Sequence, residues 1–248
     1  MKFNSYLLKE GRTQIIRQNQ FILDVVKKCS KIVNIYKKTN IYYFRGIEDF
    51  NSNYGFVQPS KFTRESAFAS RNTYTVLLDN LPSWKDYPKR SKSIIMTTDL
   101  NEALSRGGSY AVFPVDNANI GICPSYDIWF SFPLLAKRFH LEGLDDFIRF
   151  MYKINMYIGK SKYDIDKWED LKKLLSIVPN ADNINHWGFN NKETLYDQII
   201  PYLDPKKNGF KIISTNKMIK SKNRECWTDA NCYLLSSFDL MHFIKEVF

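Results

Sequence analysis

Apolar positions recur at helical spacing from early in the chain. Ile15, Phe21, Ile22, Val25, Val26, Cys29, Ile32, Val33 and Tyr36 mark one face of an amphipathic helix over 13–38, and Thr39 and Asn40 close it. The next run, "IYYFRG" at 41–46, is β-branched and aromatic and ends in glycine, which predicts a strand. Residues 51–73 are polar, with Gly and Pro, and read as loop. "TYTVLLDN" fits either a strand or a short helix. A loop with two prolines, "LPSWKDYPKRS", then leads into "SKSIIMTTDLNEAL" at 91–104. There the apolar run Ile94, Ile95, Met96 ends in Thr97, Thr98 and Asp99, and Leu100, Ala103 and Leu104 follow at helical spacing. Strand, polar corner and helix are predicted, with Asp99 and Glu102 spaced as a capping pair.

Beyond the corner, "SYAVFPVD" and "NIGICP" are two short strand candidates. The pattern turns helical from about 125 to 178, notably in "LEGLDDFIRFMYKINMYI" and "DKWEDLKKLLSIV", and again around "KETLYDQIIPYL". "GFKIIST" and "CWTDANCYLLSS" revert to strands, with a turn near Asp229–Asn231, and "FDLMHFIKEVF" is a last short helix. Strands sit towards both ends of the chain, without regular βαβ alternation. The expected fold class is therefore α+β rather than a doubly wound parallel sheet. Neither GxGxxG nor GxxxxGK[ST] occurs, so no glycine-rich phosphate loop is expected.

Composition adds a core and a charge. The chain has 248 residues, 44% of them hydrophobic and 15% aromatic, enough for a substantial core. No run of about 18 apolar residues exists, so no membrane span is expected. The N-terminal sequence "MKFNSYLLKEGRTQ" lacks a signal-peptide core, which makes the expected setting cytoplasmic. Four scattered cysteines without a CxxC, and three separated histidines, give no reason to expect a metal site. The net charge is +10. It concentrates in 1–40, with nine Lys or Arg against two acids, and in 205–224, with seven and no acid; "KDYPKRSK" at 85–92 is a third cluster. Such surfaces attract phosphates, in a nucleotide or a nucleic acid. Trp84 and Tyr87, beside Lys85, Lys89 and Arg90, form a loop that either stacks on a ligand ring or is pinned by one aromatic anchor.

Three polar positions interrupt apolar strands: Arg45 in "YYFRG", Thr97 and Thr98 in "IMTTD", and Glu225 in "NRECW". Each is costly near a core unless paired. Taken singly, each has a structural explanation: an ion-pair partner, a helix cap, a solvated residue among lysines. In this order the set resembles the Arg–Ser/Thr–Glu class of the ADP-ribosyltransferase superfamily. Arg-Gly after aromatics matches its first strand, the Thr-Thr corner followed by Ala103 its second, and the glutamate near the C-terminus its third. The wider stretch also looks similar to uncharacterised phage-encoded proteins with transferase-like domains, which would place this chain in a host cytoplasm. Asp99 stands where that class usually has a second serine, and Asn223 where it often has Glu or Gln two positions before the glutamate.

The resemblance implies a single domain over 1–248: a transferase-like split β-sheet with an N-terminal helix and a helical insertion at about 125–208. It implies a mono-ADP-ribosyltransferase with NAD as substrate and a protein or nucleic acid as acceptor. Arg45, Gly46, Thr97, Thr98 and Tyr43 would bind NAD, and Glu225, Arg45 and Thr98 would carry the chemistry. A guanidinium suits a pyrophosphate. A carboxylate suits the positive charge that develops on ribose as the N-glycosidic bond breaks. Glu225 is expected on a solvated turn among Lys220, Lys222 and Arg224, so that Glu225→Gln would leave folding unaffected. Two other readings stay open: a non-catalytic nucleic-acid-binding protein, and an inactive transferase-like fold that binds and inhibits a host factor.

Overall fold

The computed structural model describes residues 14–48, 50–61, 63, 72–180, 188–217 and 222–247. They fall into two compact units. The first draws on Met1–Ala67, Tyr87–Tyr126 and Lys211–Phe248, and the second on Phe68–Asp86 and Asp127–Phe210.

The first unit holds a nine-stranded, wholly antiparallel sheet. Its strands are β1 (Gln14–Ile15), β2 (Phe44–Ile47), β3 (Tyr54–Val57), β4 (Ile94–Thr97), β5 (Gly108–Pro114), β6 (Asn119–Ile122), β7 (Lys211–Ser214), β8 (Glu225–Thr228) and β9 (Cys232–Ser236). They lie in the order β1-β3-β9-β5-β2-β4-β8-β6-β7. The class is mixed α+β, as the strand distribution predicts. β3 falls inside the stretch expected to be loop: its four residues, "YGFV", alternate half-buried and buried with too few apolar positions to stand out. The sheet has two wings. β2 keeps a four-residue ladder with β5, yet meets β4 at one register pair only, Phe44 with Thr97.

Helices α1 (Gln18–Lys28) and α2 (Ser30–Thr39) pack Phe21, Val25, Ile32, Val33 and Tyr36 into the core of this sheet. The periodicity predicts one helix here. It breaks at Cys29, whose φ of −127° and ψ of 20° leave the helical region. Asp116, in the turn after β5, holds the break from both sides. Its backbone N–H donates to Lys28 O at 2.7 Å, and its carboxylate accepts from the Lys31 N–H and the Ser30 hydroxyl at 2.9 Å each. One aspartate thus closes α1 and caps α2. Asn40 then ends α2 in the left-handed region, at φ 51°. Two short helices complete the unit: α4 (Leu100–Leu104) follows the Thr-Thr-Asp corner, and α9 (Leu240–Val247) ends the chain.

The second unit is helical: α3 (Thr73–Asn80), α5 (Pro133–Phe139), α6 (Leu144–Tyr157), α7 (Trp168–Leu175) and α8 (Leu195–Ile199). "TYTVLLDN" is α3, so the helical stretch expected over about 125–208 shares its unit with an earlier segment. Along α6, Leu144, Phe147, Ile148, Met151 and Ile154 repeat at three- and four-residue spacing and are buried. Thr194 and Asp197 form a reciprocal capping box on α8. Trp84 belongs to this core: it is buried, its indole N–H donates to Leu203 O at 2.9 Å, and its ring meets Phe132 and Phe210. The ligand-stacking alternative for Trp84 is corrected: it is an anchor.

Candidate functional site

The single pair between the wings sets the site. Antiparallel register aligns Ala111, Phe44, Thr97 and Glu225 in one row across β5, β2, β4 and β8. Directly opposed residues project to the same face, so Thr97 and Glu225 are neighbours by construction. Past the Phe44–Thr97 pair the ladder stops. The residues that would pair next, Arg45 with Met96 and Gly46 with Ile95, instead line a cavity together with Thr97, Glu225, Glu102 and Tyr126. Its volume is about 20 Å³, room for about one water. Arg45, Gly46, Thr97 and Glu225, up to 180 positions apart, are thus brought together. Gly46 is required sterically: a Cβ there would lie 2.2 Å from Ala103 O and 2.8 Å from Arg106 Cβ, because α4 packs directly on β2.

Glu225 is not on a solvated turn. It opens β8 and is 7% exposed, and one carboxylate oxygen makes a 2.8 Å ion pair with the Arg90 Nη2. The Cys123 thiol lies 3.9 Å from the same oxygen. Arg90 is 2% exposed, and its guanidinium sits over the Trp227 ring at 5.2 Å. Trp227 is fixed in turn: its indole N–H donates to Pro88 O at 2.8 Å, and Tyr87 stacks on it with an interplanar angle of 17°. Gly121 makes room for that indole, since a Cβ there would approach it to 2.4 Å. The expected solvation of Glu225 fails because its partner comes from a segment 135 positions away, read as surface loop. The same segment's Tyr87 is buried, so it too serves packing rather than stacking on a ligand.

The Thr-Thr-Asp corner satisfies backbone donors. Thr97 Oγ1 accepts from the Asp99 N–H at 3.1 Å, and Asp99 Oδ1 accepts from the Asn101 N–H at 2.9 Å as the N-cap of α4. Glu102 does not close the capping pair with Asp99; its carboxylate pairs with Arg106, at 2.5 Å to Nη2 and 3.0 Å to Nε. Thr98 is buried, outside the residues that line either cavity. Its hydroxyl accepts from the Arg224 N–H and its own N–H donates to Arg224 O, both at 3.0 Å. Thr98 therefore clasps the residue before Glu225 and extends the β4–β8 ladder by one step. Tyr43 is also absent from both linings. It is buried in the core beside Tyr36, its N–H donates to the Tyr36 hydroxyl, and burial pushes both phenols well above their usual range.

A second, open cleft adjoins the first and shares Thr97, Glu102 and Tyr126 with it. It measures about 360 Å³ and is also lined by Asp99, Ser125, Lys222, Asn223 and Arg224. Around the two cavities stand Arg45, Arg106, Lys222 and Arg224 against Asp99, Glu102 and Glu225, with Arg90 behind Glu225. The excess is positive, which favours an anionic ligand. Burial holds the Cys226 thiol, next along β8, far above its ordinary range, so it stays neutral. Sequence reasoning misses Arg90, Arg106 and Tyr126. Only the charge clusters at 85–92 and 205–224 hint at the first and at the cleft's basic wall. Among the described residues, none of the helices is long and apolar enough to cross a membrane, and no group of three or more His, Cys, Asp or Glu is placed to hold a metal ion. No protein-family model, curated protein or solved structure matches this chain.

Proposed function

We propose that the protein transfers ADP-ribose from NAD to a macromolecular acceptor, on an ADP-ribosyltransferase-like split sheet. One observation carries this: Arg45, Thr97 and Glu225, on three strands adjacent in the sheet, line a single cavity at the point where the two wings part. Arg45 supplies a planar cation for the pyrophosphate. Glu225 supplies the negative charge that a ribose cation needs as nicotinamide departs with its bonding electrons. Thr98 and Arg90 hold the strand end and the carboxylate in place. The inner cavity admits a water rather than a dinucleotide, so NAD binding widens the gap between β2 and β4.

The ion pair also favours a second reading, an inactive fold of the same kind that binds a host factor. Arg90 neutralises the carboxylate that catalysis would use. Incubation with NAD labelled in the adenylate, with nicotinamide release and NAD affinity measured in parallel, separates the two. A transferase releases nicotinamide and labels a macromolecule. Glu225→Gln then lowers turnover by about 100-fold, compared at a temperature where circular dichroism shows both proteins folded. NAD binding without nicotinamide release selects the inactive fold, and no NAD binding at all removes both.

A further inference from the structure

The open cleft has one basic wall and one exposed ring. Lys222, Asn223 and Arg224 form the wall, and Tyr126, 53% exposed, lines both cavities. The two acids that also line the cleft are engaged within the protein: Asp99 caps α4, and Glu102 is paired with Arg106. What the cleft presents to a ligand is therefore cationic, aromatic and, through Asn223, amide in character. The described lysines before this wall, Lys211 on the edge strand β7 and Lys217 after it, are exposed as well, and the sequence holds no acid from 205 to 224.

We infer that the acceptor is a single-stranded nucleic acid, held in this cleft. The binding is argued from the cleft itself, and the transfer step rests on the transferase activity proposed above. Lysine and arginine contact phosphates, an exposed aromatic ring stacks on an unpaired base, and an asparagine amide can donate to and accept from a base edge. An acidic protein segment would use the cations but leave the ring and amide without a role. A duplex hides its base faces from Tyr126. In the transfer step the bond from ribose C1′ to nicotinamide breaks and its electron pair leaves on nicotinamide. A nitrogen of the base forms the new bond to C1′, and the proton it carried passes to water.

The test uses the full chain and a fluorescent single-stranded oligonucleotide of mixed sequence. Fluorescence anisotropy should show binding that Tyr126→Ala weakens by about tenfold, and that Lys222→Glu weakens as well. Two phosphate contacts predict a rise in Kd of about sevenfold when salt is raised about fourfold. With labelled NAD added, the label should travel with the oligonucleotide and be released by nuclease. Label on protein only, or oligonucleotide affinity that neither substitution changes, overturns the inference and spares the transferase proposal. Binding that both substitutions weaken, without any nicotinamide release, supports the nucleic-acid cleft and overturns the transferase.

Discussion

Arg90 and Glu225 form a buried ion pair in the first unit, between a residue of a basic loop and the first residue of β8. Removing one partner leaves a charge in a protein interior, which costs about 3–5 kcal/mol. Glu225→Gln and Arg90→Met should each show a loss of that size in urea unfolding. The double variant Arg90→Met/Glu225→Met should lose far less than the sum, because no charge is stranded. Additive losses would mean that the ion pair carries no coupling. A third residue-scale test concerns Gly46. Gly46→Ala puts a Cβ 2.2 Å from the Ala103 carbonyl, which is backbone and can move only if α4 lifts from β2. A loss of about 1–3 kcal/mol is expected in the same assay, with Arg106 shifted in the crystal or in NMR spectra. The sequence makes Arg45, Thr97 and Glu225 legible because a polar side chain at a strand end is conspicuous in an apolar run. Arg90 is not, because its neighbours Lys89 and Lys92 look like ordinary surface.

At the scale of elements, periodicity locates the strand–corner–helix unit at 94–104 and the two strands that follow it. These are local patterns, and local patterns survive tertiary structure. The break between α1 and α2 does not show in the sequence, because the residue that makes it, Asp116, lies 86 positions from Ser30. Asp116→Ala should cost about 1–2 kcal/mol by leaving the Lys31 amide without its cap. Faster amide exchange at Lys31 should accompany it, and unchanged exchange there would assign the break to Cys29 alone. Thr98 shows the same kind of dependence. Thr97 and Asp99 accept from amides two residues on, but the Thr98 hydroxyl accepts from the Arg224 N–H, which only the approach of β8 supplies.

For the molecule as a whole, one ion-paired acid sets part of the response to pH. Asp24 on α1 is bonded to Lys28 at 2.8 Å and accepts from the Tyr233 hydroxyl at 3.1 Å. Burial raises its carboxyl, but hydrogen bonds from Lys28, Gln20 and Tyr233 outweigh this and hold it below the usual range. A depressed folded-state value stabilises the fold above the unfolded value, 3.8, and that stability is lost as pH falls through the folded value. Urea midpoints should therefore decline in acid, and Asp24→Asn should flatten the decline below about pH 4. Equal slopes would place the acid sensitivity elsewhere. The net charge of +10 is legible from the sequence alone; where it faces a cleft depends on the placement of Lys222 and Arg224 just before β8. The two wings of the sheet, finally, share a single ladder pair, Phe44 with Thr97. Arg45 belongs to one wing and Glu225 to the other, so widening the inner cavity works against the one ladder pair between them. A ladder of four pairs resists bending as a plank does, whereas one pair resists it as a pivot. The aperture of the inner cavity is thus a mechanical coordinate, and a crosslink that stiffens the pivot would set its bore.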